Sequence, residues 1–107
     1  MPSREVLEEQ HAMLQQAVQA LAALERTPQE RIDRAMSYFG RTFRDEPTGD
    51  ALVHWQRIYA ILGNPPVGTP IVCRLQTLTP DEQRDLPVAL CELAAVIAQT
   101  LGATPAS

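Results

Sequence analysis

The chain of 107 residues contains no lysine. Its nine basic residues are all arginine and face thirteen acidic ones, giving a net charge of −4 and a pI near 5.0. Nucleic acid draws its partners through Lys and Arg set against phosphate, so direct nucleic-acid binding is not expected. Five of the arginines, Arg26, Arg31, Arg34, Arg41 and Arg44, lie close together, but Glu25, Glu30 and Asp33 interleave with most of them, which reads as a solvated helix face. Cysteine and histidine are scarce. Cys73 and Cys91 stand 18 positions apart, His11 and His54 stand 43 apart, and neither a CxxC nor an HxxxH spacing occurs. Metal sites need several such ligands at fixed spacing, so no metal and no cofactor is expected. No run of about 18 apolar residues is present, so no membrane span is expected. The polar, acidic start "MPSREVLEEQHAM" lacks the layout of a signal peptide. These features predict a cytoplasmic protein with reduced thiols.

Catalytic patterns are missing as well. "GNPPVG" has glycines but no Lys and no strand-loop-helix context, so it is not a phosphate loop. Glu8-Glu9, Asp45-Glu46 and Asp81-Glu82 are sequence neighbours, and adjacent residues on a helix do not face each other. They read as solvent-facing or helix-start charge. Cys91 sits among Leu90, Leu93 and Ala94, where a thiol acts as a small buried hydrophobe. Cys73 lies beside Arg74, which would lower its pKa if both were exposed. A small enzyme using Cys73 or His54 is the third-ranked reading.

What the chain does contain is helix. Apolar residues make up 45% of it, and they recur with helical spacing, which predicts an all-α single domain of four to five helices. A first helix is expected over residues 2–25, with Ser3 as cap and Glu5, Glu8 and Glu9 near its positive end. Leu7, His11, Leu14, Val18 and Leu21 form a heptad-like seam, beside a second line of Met13, Ala17, Ala20 and Leu24. "TPQE" is a helix start, with Thr27 as cap, Pro28 as first helical residue and Glu30 closing a capping box. The helix it opens spans 28–44 and carries Ile32, Met36, Phe39 and Phe43 as a stripe. A third helix is expected over 50–62, capped by Asp50 and ended by Gly63. Residues 70–78 are compatible with a short helix or a strand, with helix favoured. "TPDE" opens a last helix over 80–102, where Pro87 predicts a kink or a restart capped by Asp85, and 103–107 form a frayed tail. Leu86, Leu90, Leu93, Ile97 and Leu101 are its core stripe. A chain this short buries a smaller share of its surface than a long one. Its surplus of apolar faces therefore predicts a homodimer, with Leu7, Leu14, Val18 and Leu21 at the interface.

The stretch "ALVHWQRIYAILGNPPVGTP" holds the sole Trp, a His, a Tyr and an Arg. Trp, Tyr and Arg are the residue types most enriched at interface hot spots. Trp55, Ile58, Tyr59 and Leu62 are the expected partner-binding residues; the competing reading puts Trp55 and Tyr59 in the core. With these gripping residues, and in size, acidity and helix content along its whole length, the chain resembles the small antiactivators of LuxR-type quorum-sensing regulators. The resemblance implies a dimeric helical protein that binds such a regulator and blocks its dimerisation or DNA binding. A structural or chaperone-like helical oligomer is the alternative, supported by the seam of the first helix.

Overall fold

Thr-Pro dipeptides open two of the helices as their chemistry predicts. The computed structural model describes residues 4–42, 47, 49–63 and 78–103, and among these it forms four α-helices and no strand. They are α1 (Arg4–Leu21), α2 (Pro28–Thr42), α3 (Asp50–Ile61) and α4 (Pro80–Ala103). The start of α2 is held by the Glu30 amide donating to Thr27 Oγ1 at 3.2 Å. At the start of α4 the box closes in both directions. The Glu82 amide donates to Thr79 Oγ1 at 3.2 Å, and the Thr79 amide donates to Glu82 Oε1 at 2.9 Å. Each bond satisfies a donor that the first turn of a helix leaves without a partner.

The helices pack in the order α2, α1, α4, α3, with α1 and α4 in the middle. α4 meets α1 and α3 with Leu86, Ala89, Leu90, Leu93, Ala94 and Ile97, all buried. That spacing of three and four residues is the stripe of a helix that buries one face. α1 contributes Leu7, Leu14, Ala17 and Ala20 to the same core, and α2 contributes Ile32, Ala35, Met36 and Phe39. Alanine at several of these positions lets helix axes approach closely, since interaxial distance follows side-chain size at the contact. Each fully buried Leu, Ile, Met or Phe contributes roughly 1.5–3 kcal/mol.

Three expectations are corrected, and at Pro87 one of the two expected outcomes, the restart, is excluded. α1 ends at Leu21 rather than at residue 25: the Ala22 and Ala23 amides bond to the Gln19 and Ala20 carbonyls in tight three-residue turns. Leu24 consequently leaves the apolar line and stands 82% exposed. α3 is capped by Gly49, not by Asp50. Gly49 has φ 66°, a left-handed conformation that disfavours any side chain, and Asp50 becomes the first helical residue. α4 runs through Pro87 without restarting at Asp85. Pro in a helix interior costs about 3 kcal/mol, but Leu86, Leu90, Leu93 and Ile97 together contribute more, and burial wins. The Pro87 ring also lines a narrow apolar gap with Leu21, Ile32, Met36 and Leu90 that has no room for water. Finally, Cys91 is exposed rather than buried. One residue beyond Leu90 is about 100° around the helix, enough to turn the thiol out of the core stripe.

Gly63, with φ 84°, ends α3 in the left-handed position expected of it, its amide donating to the Ala60 carbonyl at 3.1 Å. The segment expected as helix or strand over 70–78 lies outside the described residues, apart from the non-helical Leu78. Ser3, Phe43, Cys73 and the tail from residue 104 lie outside them too. By length and composition α4 is long and apolar enough to cross a membrane. Its most apolar line is the one packed into the bundle.

Candidate functional site

α3 carries most of the residues singled out for binding, and the fold divides them. Ile58 is 0% exposed and Leu62 is 3% exposed. Both belong to the core of the single chain, which corrects the expectation that they grip a partner. The reason is geometric: α3 must present one face to α4, and Ala51, Ile58 and Leu62 are that face. Trp55 and Tyr59 are half-buried and packed on the rim of the core. Their rings lie 4.3 Å apart between centroids at 32°, and Tyr59 reaches Phe39 of α2 at 6.0 Å and 54°. These are tilted arrangements of the kind aromatic pairs prefer. The three rings run from the surface at Trp55 to the buried Phe39, and they tie α3 to α2. Val53 stands 66% exposed on α3.

A charged junction fastens α3 to α4. Glu92 Oε2 takes Arg57 Nη1 at 3.1 Å and His54 Nδ1 at 3.3 Å. Glu92 is the one charged residue in the apolar run of α4 from Val88 to Ala98. The partly exposed setting of all three groups keeps the energy of the pair below about 1 kcal/mol. Its contribution is orientation: the Arg57 and His54 side chains, one turn apart on α3, converge on a single carboxylate oxygen. Among the described residues no three His, Cys, Asp or Glu side chains gather to hold a metal ion.

The seam of α1 is likewise divided. Leu7 and Leu14 are buried in the chain's own core, which corrects their assignment to a dimer interface; Val18 and Leu21 are partly buried against that core. α1 lies between α2 and α4, so both sides of its stripe are used within one chain.

A second concavity lies where the end of α1, the α1–α2 turn and α2 meet. It has a volume of about 240 Å³ and is lined by Gln16, Gln19, Glu25, Arg26, Arg34 and Tyr38 over two alanines. No sequence pattern announced it, because its members are polar residues on two helices that meet only after folding.

No protein-family model matches the chain, and no curated protein or solved structure matches it either.

Proposed function

We propose that the chain is a non-enzymatic cytoplasmic protein that binds and inhibits a partner protein. In its specific form this reading is an antiactivator that sequesters a LuxR-type transcriptional regulator. The observation that supports it is the Trp55–Tyr59 stack, half-buried on the rim of α3. Half-buried aromatics supply large, stiff contact area at little entropic cost to a binder. Exposed Val53 on the same helix adds apolar area, and Arg57 and Glu92 add polar contacts. Ile58 and Leu62 hold this surface in place from below.

The reading includes a homodimer. With Leu7 and Leu14 spent in the core, the exposed apolar side chains left for self-association include Leu24 and Val88. The helical-oligomer alternative draws on the same residues. Fluorescence anisotropy tests the specific reading. Adding the protein to a LuxR-type regulator on labelled operator DNA should release the DNA, while the protein alone should leave the DNA signal unchanged. A regulator that stays on its DNA at a large excess of this protein would overturn the antiactivator form.

A further inference from the structure

We propose that the groove between α1 and α2 is a binding site for a small oxyanion, a dicarboxylate or a phosphate of metabolite size. The donors it gathers carry the inference. Arg26, Arg34, Gln16 and Gln19 line it, with the Tyr38 ring beside them. Guanidinium and side-chain amide groups present N–H donors in fixed planes, and the planar fork of Arg matches carboxylate and phosphate oxygens two at a time.

The pairing pattern of the arginines singles this groove out. Arg4, Arg57 and Arg84 each lie against a carboxylate of their own neighbourhood. Among the described residues Arg34 has no carboxylate within ion-pair distance. Arg26 makes a loose ion pair with Glu30 at 3.8 Å, longer than a hydrogen bond. Arg31 stands three positions before Arg34 on α2, and its buried Nε has no hydrogen-bond partner among the described residues. Residues three apart on a helix are neighbours on its surface. Glu25, Glu30 and Asp33 stand among these three arginines, so it is the N–H donors gathered in the groove, and not a net positive charge, that mark the site.

Size sets the ligand class. A volume of about 240 Å³ lies below the roughly 300–1,000 Å³ of pockets for drug-sized molecules, so the occupant is small. Glu25 is the one carboxylate in the lining, and it disfavours a ligand that would place negative charge along the whole groove. Two anionic oxygens on one small body fit best, one for each lining arginine. The site does not use the α3 surface, so its failure leaves the partner-binding reading standing.

The test is an NMR titration of the labelled full chain with succinate and, separately, with inorganic phosphate, in chloride buffer at constant ionic strength. Saturable shifts confined to amides of the groove, around Gln16, Gln19, Ala20, Arg34 and Tyr38, are expected with at least one probe. Which probe saturates first identifies the source of the oxyanion. Arg34→Gln removes an exposed charge without touching the core and should weaken binding roughly tenfold at an unchanged melting temperature. Arg84→Gln, on a different helix, should leave it unchanged. Shifts that never saturate, shifts spread evenly over all arginines, or equal affinity in Arg34→Gln would each overturn the proposal.

Discussion

Tyr59 stacks on Trp55 with ring centroids 4.3 Å apart, and of the two it is Tyr59 that also reaches the buried Phe39. The two aromatics therefore have unequal structural weight. Tyr59→Ala should remove contacts on two sides and cost about 2–3 kcal/mol, less than the roughly 3–5 kcal/mol of a fully buried aromatic. Trp55→Ala should cost at least 1 kcal/mol less than that. Chemical denaturation of both variants gives the comparison, and a larger loss for Trp55→Ala would show that Trp55 is the core member of the pair.

The two Thr-Pro starts make a second comparison. Thr79 and Glu82 exchange two hydrogen bonds, and Thr27 accepts one from the Glu30 amide. Thr27→Ala should cost about 1 kcal/mol, and Thr79→Ala a similar amount. Glu82→Ala should cost several tenths of a kcal/mol through loss of the returning bond to the Thr79 amide. Each kcal/mol should lower the melting temperature by roughly 4–8 °C. Unchanged melting in Thr79→Ala would mean that the burial of Leu86 and Leu90, and not the cap, decides where α4 begins.

Pro87 invites a change in the opposite direction. Its ring cannot donate to the Gln83 carbonyl, one turn back in α4. Pro87→Ala restores that bond and removes the helix penalty of about 3 kcal/mol. Against this stand the apolar ring surface lost from the gap that Pro87 lines with Leu21 and Met36 and the greater freedom of the unfolded chain, together about 2 kcal/mol. A net gain of about 1 kcal/mol is expected, visible as a higher melting temperature. A lower one would show that ring packing outweighs the helix defect.

Much of the fold was legible in the sequence because its strongest signals are local. A Thr-Pro start with an acid three residues later needs only its own first turn, and the stripe from Leu86 to Ile97 needs only one neighbour. The misread positions depend on partners distant in sequence. No Gly or Pro ends α1 before Pro28, so its stop at Leu21 follows from the reversal that brings α2 back against it. Ile58 and Leu62 share α3 with Val53 and Ile61, and four apolar residues on several faces do not say which face meets α4. Ile58 and Leu62 are the residues the fold removes from the expected grip. The role of Glu92 was hidden for the same reason, since His54 and Arg57 meet it across 35 or more positions of chain.

Self-association can be separated from folding at Val88, which is 47% exposed on α4. Sedimentation at micromolar concentration should give twice the chain mass. Val88→Glu should shift that dimer towards monomer, while a surface change of this kind alters stability by at most about 0.5 kcal/mol. A wild-type chain that stays monomeric at high concentration would remove the dimer from the functional reading.

The partner-binding surface is best tested where the core is not involved. Val53 is 66% exposed on α3, so Val53→Asp leaves the buried Ile58 and Leu62 in place and should melt like the wild type. It places a charge in the middle of the proposed contact, and a desolvated, unpaired carboxylate there should weaken partner binding about tenfold or more. Trp55→Ala should cost binding at least 2 kcal/mol, about thirtyfold, if the ring anchors a partner. Its melting curve must be recorded beside the titration, because the ring also packs on the core rim. Arg57→Ala should have the smallest effect, since a rim charge mainly changes the association rate and its salt dependence. The three variants together distinguish the possible outcomes. Weak binding by a normally folded Val53→Asp places the contact on α3. Full binding by both Val53→Asp and a folded Trp55→Ala moves it to another face, and the half-buried aromatic pair is then a structural hinge between α3 and α2 alone.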